Sequence, residues 1–188
     1  PKKTMRDILS IHMGKPLHLM WHDETKEEAK ANFDAVFGDG KFIIYDHFGS
    51  IEGGNLLSKI RYLIVSEGCD FVIFDHVTIA VTAMDGTSAD ERKCIDMVMT
   101  QLRSLVEETG AGIVVVSHLR KTDTKSTPFE NGGSISLDDL RGSGSLKQLP
   151  DTILALERNQ QSDDEQEKNL LKIRVLKCRF TGNTGLTD

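Results

Sequence analysis

The chain has 188 residues, 38% of them hydrophobic and 28% charged, with a formal net charge of -6, which fits one compact domain with room for a substantial core. The acidic total excludes a protein that coats nucleic acid indiscriminately but leaves open a local basic site, because affinity for phosphates follows the field where the ligand sits. Cys69, Cys94 and Cys178 are far apart and odd in number, so they read as reduced thiols of an intracellular protein; no apolar run approaches the ~18 residues of a membrane span, and no signal peptide opens the chain.

The opening PKKTMRDILS lacks an initiator Met and enters a helix-like pattern at once. Residues 24–37 read as a helix, with Ala29, Phe33, Val36 and Phe37 along one side and Gly38 as stop signal. KFIIY (41–45) reads as a short apolar strand. Leu56, Leu57, Ile60, Leu63 and Ile64 form a helical stripe ending at Gly68, and CDFVIFDH then gives an apolar strand followed by an acid. Ser88 with Glu91 three residues on is a capping box; it opens a helix with the stripe Ile95, Val98, Met99, Leu102, Leu105 and Val106, stopped by Gly110. AGIVVVSH is the most hydrophobic strand. Residues 119–137 are polar, with Pro128, Gly132 and Gly133, and read as a long loop of the kind that is often functional. TILAL (152–156) and LLKIRVLKCRF supply two more strands, separated by an acidic, glutamine-rich turn at 160–168. Lys172 and Arg174 share one parity and Lys177 and Arg179 the other, which predicts a bulge or bend near Val175–Leu176. Strand–helix alternation with continuously apolar strands predicts an α/β fold whose parallel sheet is covered on both faces.

In open parallel sheets, ligands bind at the carboxyl ends of strands. FVIFD ends in Asp75, followed by His76, and IVVVS ends in Ser117, followed by His118. An acid at such a strand end can hold the water shell of Mg²⁺ beside a nucleotide's phosphates; it can equally be a helix cap or a salt-bridge partner. His18 and His22 are four apart, but no Glu follows His18 and no further ligand accompanies them, so the zinc-protease pattern fails. A phosphate-binding P-loop reads Gly, four residues, then Gly-Lys-Ser/Thr. Gly14-Lys15 runs into Pro16, Gly40-Lys41 into Phe42, and Arg141-Gly142-Ser143-Gly144-Ser145 has no Lys in the right place. This chain therefore cannot build that cradle. Basic residues do cluster on two loops that follow strand ends: Arg120, Lys121 and Lys125 on one, Arg141 and Lys147 on the other. They are either solvated surface charge or a pair of loops gripping a nucleic-acid backbone, with glycines letting main-chain N–H groups reach phosphates. Phe129 is the only aromatic there, so contacts would be to backbone more than to bases.

The ordered series CDFVIFDHVTIAV, DERKCIDMVMTQLRSL, VVVSHLRK, DDLRGSGSLKQLPDTILALERNQQ and LKCRFTGNTG closely resembles the helicase domain of the ring-shaped primase-helicases of short-tailed bacteriophages, with Twinkle and DnaB-type helicases as more distant relatives. The resemblance covers nearly the whole chain from about Lys26; residues 1–25 match poorly. It implies a RecA-like α/β/α fold with a mostly parallel central sheet, a single partial core over 1–188, hexameric rings, and DNA replication driven by ATP or dTTP with Mg²⁺. It implies that Asp75 is the Walker B acid ordering Mg²⁺ through water, and that His118 senses the γ-phosphate and reports to the DNA loops. Gln148 would couple nucleotide state to those loops. Arg179, with Lys177 beside it, would be the arginine finger reaching the neighbouring subunit's γ-phosphate. Arg120, Lys121 and Lys125 would line one single-strand DNA loop, and Arg141, Gly142, Ser143 and Lys147 the other. A primase domain and a replicative polymerase are implied partners, no membrane is, and the cytoplasm of a phage-infected bacterium is the implied location.

The resemblance also implies that the P-loop and the glutamate activating the attacking water lie upstream of Pro1, and that the segment completing the nucleotide pocket lies beyond Asp188. The P-loop strand would sit between the strands at 113–116 and 152–156, so its absence should leave a central gap or force those two together. The chain is thus expected to be an incomplete piece that does not turn over nucleotide alone. Two other readings share the core: a RecA-like recombinase or clock-type ATPase, which would lack the LRGSGSLKQL and KCRFTG pair, and a non-enzymatic single-strand-binding module.

Overall fold

Residues 2–20, 22–45, 53–78, 88–121, 127–141 and 144–187 are described by a computed structural model, and they belong to two units, Pro1–Gly49 and Ser50–Asp188. In the first unit, α1 (Lys2–Met13) and α2 (Asp23–Phe37) bury Leu9, Leu17 and Ala29, with Met13, Val36 and Phe37 packed against them. The expected apolar side of α2 is used except at Phe33, which stays exposed beside the Phe37 ring. The strand expected at 41–45 does not form. Phe42, Ile43 and Tyr45 are 50%, 44% and 49% exposed, because an apolar run becomes a strand only where a neighbour supplies a hydrogen-bonding ladder.

In the second unit, α3 (Gly53–Val65) and α4 (Ser88–Thr109) cover one face of the parallel pair β1 (Phe71–Phe74) and β2 (Gly112–Val115). Residues three and four apart share a helix face, and most of the predicted stripes are buried: Leu56, Ile60 and Ile64 from α3, and Ile95, Val98, Met99, Leu102 and Leu105 from α4, with Leu57, Leu63 and Val106 half-buried at the margins. Gly110 ends α4 with φ 74° and its N–H on the Val106 carbonyl at 2.8 Å. The Ser88 side chain of the expected capping box lies outside the described residues. Ile95 is fully buried, so Ile95→Ala should cost about 3 kcal/mol through lost transfer energy and the cavity left behind. In a thermal melt that corresponds to a midpoint lower by roughly 6–12 °C; an unchanged midpoint would remove α4 from the core.

Cover on both faces, expected from the continuous apolar runs, is not observed among the described residues. Val72, Phe74, Ile113 and Val115 pack on the helices, while Phe71, Ile73 and Val114 on the other face are 74%, 72% and 51% exposed. The remaining strands also depart from the mostly parallel expectation. β3 (Thr152–Glu157), β4 (Lys172–Cys178) and β5 (Gly185–Leu186) form a separate antiparallel sheet. The β3–β4 connection carries only one short helix, Glu165–Asn169 (α6), in the stretch read as a turn, and so returns the chain beside itself without a crossover. The bulge falls where parity placed it: Ile153 faces Lys177 and Leu154 faces Val175, leaving Leu176 as the extra residue. β2 and β3 do not pair. A cleft of about 590 Å³ is lined by residues of both, Val114, Ile153 and Leu154 among them, together with Phe71, Val106 and Phe180, so the two strands are not forced together.

Candidate functional site

Parallel pairing in register brings two strand ends to one rim. Phe74 lies opposite Val115, and two backbone bonds carry the pairing past the strands: Val116 N–H to the Phe74 carbonyl at 2.9 Å, and Val77 N–H to the Val116 carbonyl at 3.0 Å. Asp75 and His118 therefore emerge at the same edge, both exposed. Between them, the His76 and His118 rings meet edge to face with centroids 4.2 Å apart. Burial first, and the neighbouring His118 second, hold the His76 imidazole below its ordinary value against the pull of Asp75. A hydrogen bond joins His76 Nδ1 to the hydroxyl of buried Thr78. Asp75 belongs to no cluster of three or more metal-ligating side chains among the described residues; a lone exposed carboxylate fits a hydrated Mg²⁺ held through water better than a dehydrated ion.

The chain leaves this rim already tied to the second loop. Leu119 and Leu140 form an antiparallel bridge, Arg120 N–H donates to the Asp139 carbonyl at 2.9 Å, and Arg141 N–H donates to the His118 carbonyl at 3.1 Å. The two basic loops of the sequence are thus stitched together directly after His118. The cations on them have acidic partners: Arg120 Nε lies 4.0 Å from Asp139, Arg141 3.6 Å from Glu91, and Lys147 Nζ donates to Asp138 at 2.6 Å. That last bond, and then the Lys147 charge, hold the Asp138 carboxyl below its ordinary value. Arg141 is an exposed side chain, not one sunk beneath a helix, and Lys121 is exposed as well. Lys125, Gly142 and Ser143 lie outside the described residues.

Gln148 closes a short helix, α5 (Ser145–Gln148), anchored by buried Leu146. Two cations from the end of β4 converge on its last carbonyls. Lys177 Nζ donates to the Lys147 and Gln148 carbonyls, both at 2.8 Å, and Arg179 Nη2 donates to the Gln148 carbonyl at 2.8 Å. Burial, then the Arg179 charge, push the Lys177 ammonium below its ordinary value, with Asp151 acting the other way. Arg179 Nη1 donates to Asp151 Oδ1 at 3.1 Å, while Arg103 Nη1 of α4 donates to the other carboxylate oxygen at 2.7 Å. His76, Asp151, Arg103 and the acids facing the loops are site residues that sequence reasoning missed. Arg103 and Asp151 are 48 positions apart, and no local pattern announces such a pair; for His76, its place directly after Asp75 was the available signal.

Residues 13–188 match the DnaB-like helicase C terminal domain family. The chain is 41% identical over 189 residues to a DNA helicase/primase of Enterobacteria phage T3, a match that takes in 97% of this chain and 32% of that protein. It therefore spans about a third of the length of that relative. The chain belongs to the DnaB-like helicase C-terminal domain family.

Proposed function

We propose that this chain is the partial motor core, a single core over 1–188 of RecA-like three-layer type, of a replicative DNA helicase that translocates on single-stranded DNA by hydrolysing ATP or dTTP at subunit boundaries. The observation that carries the reading is the junction at the strand-end rim: Asp75 and His118 share one edge, and the backbone runs from His118 straight into pairing with the Arg141 loop. In this reading Asp75 orders the hydration shell of Mg²⁺, which neutralises charge on the phosphates when bound. His118 senses the γ-phosphate and reports through its own carbonyl, which accepts the Arg141 N–H. Gln148 relays nucleotide state to the loops, and Arg179 with Lys177 serves the neighbouring subunit of a homo-hexamer. Arg120, Lys121, Lys125, Arg141, Gly142, Ser143 and Lys147 hold the DNA backbone. A primase domain and a replicative polymerase are its proposed partners in the cytoplasm of an infected bacterium. With no Gly-x4-Gly-Lys-Ser/Thr loop among its 188 residues, the chain alone is expected not to turn over nucleotide.

Binding of poly-dT to this chain, titrated against salt, tests the loops. The five cations on these loops, each meeting one phosphate, predict a slope of log K against log salt of about -3.5, since each contact on a single strand contributes about -0.7. Arg120→Ala with Arg141→Ala should flatten it by about two-fifths. A slope near zero in the unaltered chain would end the assignment of these loops to phosphates.

A further inference from the structure

Arg179 does not wave in solvent. Its two terminal nitrogens are bonded to different acceptors, Asp151 Oδ1 and the Gln148 carbonyl, and its own N–H donates to the Asp151 carbonyl at 2.8 Å. Asp151 in turn cannot follow the arginine outward, because Arg103 holds its second oxygen from α4, a helix whose neighbouring Leu102 and Leu105 are core residues. A guanidinium carries five N–H donors in a fixed fork. Two are used here, so three remain to meet an anion while the side chain, about half exposed, stays oriented. Each of these pairs is worth little as an isolated surface ion pair; three groups sharing one carboxylate and one helix end define a direction.

We infer that Asp151, fixed by Arg103, is the positioning residue for Arg179, and that the shared Gln148 carbonyl ties the arginine's placement to the loop between Arg141 and Lys147. The chemistry served is recognition of a phosphate anion by a pre-aimed guanidinium, for which misplacement by about 1 Å can cost 10²-fold. A displacement of α5 by a strand bound at Arg141 or Lys147 would move the Gln148 carbonyl and thereby the arginine bonded to it. This inference rests on the reading of Arg179 as the residue that acts on nucleotide across a subunit boundary.

The test uses the assembled parent protein with Asp151→Asn, which preserves shape and removes charge, and Arg103→Gln, which frees the carboxylate without touching Arg179. Each should lower kcat for nucleotide by about 10- to 100-fold with KM within about two-fold, and with a thermal midpoint close to that of the unaltered protein. In an Arg179→Lys background, Asp151→Asn should add almost nothing, because its effect runs through the guanidinium; a merely structural role would lower kcat additively. Unchanged kcat in both Asp151→Asn and Arg103→Gln, with Arg179→Ala inactive, would overturn the positioning role and leave the reading of Arg179 standing. Normal turnover in Arg179→Ala would overturn both. If Asp151→Asn fails to fold, Arg103→Gln decides alone.

Discussion

In the role proposed for Arg179, Arg179→Ala in the assembled parent is expected to lower nucleotide turnover by about 10³–10⁵-fold, because an arginine supplied across an interface meets charge that develops only as the phosphoryl group transfers. An interaction made in the transition state and not in the ground state appears in kcat and leaves binding almost unchanged. Binding of a fluorescent nucleotide should therefore stay within a few-fold while single-strand-stimulated hydrolysis disappears. The fold should tolerate the change, since Asp151 keeps its bond to Arg103 and the Gln148 carbonyl keeps Lys177. Arg179→Lys should recover little, as an ammonium is a point charge that cannot hold Asp151, the Gln148 carbonyl and a phosphate in one plane. Turnover at the normal rate in Arg179→Ala would remove this residue from the chemistry.

The parts of the structure that were legible in the sequence are those encoded by spacing. The stripe from Ile95 to Leu105 is buried position by position, and a one-residue change of parity located the Leu176 bulge. Parallel strands in equal register must end together, so two apolar runs closing on Asp75 and on Ser117-His118 were enough to bring Asp75 and His118 to one rim. What could not be read was anything fixed by partners distant in the chain. KFIIY holds an apolar run like that of β1 yet forms no strand, and the outer face of β1 and β2 has no cover among the described residues although its side chains match those of a covered strand. Asp139 and Asp138, which face Arg120 and Lys147, have no signature of their own, because an Asp beside a loop reads the same whether it caps, pairs or solvates, and Glu91 was legible only as a helix cap and not as the partner of Arg141. The short helix Glu165–Asn169 was hidden for a different reason: one turn has too few residues to show a period, and its start depends on the Asp164 side chain accepting the Gln166 N–H.

Glu157 shows how parity alone could have gone one step further. It shares the inward side of β3 with Ile153 and Ala155 and is 5% exposed, where a carboxylate survives only if its oxygens are satisfied. Oε1 accepts the Ile135 N–H at 2.8 Å and Arg174 Nε at 2.7 Å, and Oε2 accepts Arg174 Nη2 at 3.2 Å. This one side chain thus pins the far end of the long polar loop to both strands of the hairpin. Burial pushes the carboxyl up, but the Arg174 hydrogen bond, the Ile135 N–H and the Arg174 charge outweigh it, so the group lies below its ordinary value of 4.5. A carboxyl depressed in the folded state adds stability that is present above the unfolded value and is lost as pH falls through the folded one. In Glu157→Gln the amide oxygen can still accept from the Ile135 N–H and Arg174 Nε, but the amide nitrogen then faces the Arg174 Nη2 donor and the guanidinium is left uncompensated. The loss should be about 3 kcal/mol, the low end for a broken buried pair, since Arg174 keeps a quarter of its side chain in water. Thermal melts at neutral pH should show the variant lower by roughly 6–12 °C, and the gap should close as the pH is taken below 4.5 and the unaltered carboxyl itself becomes protonated. Equal midpoints at neutral pH, or a gap that widens in acid, would mean that the loop is held by something other than this carboxylate.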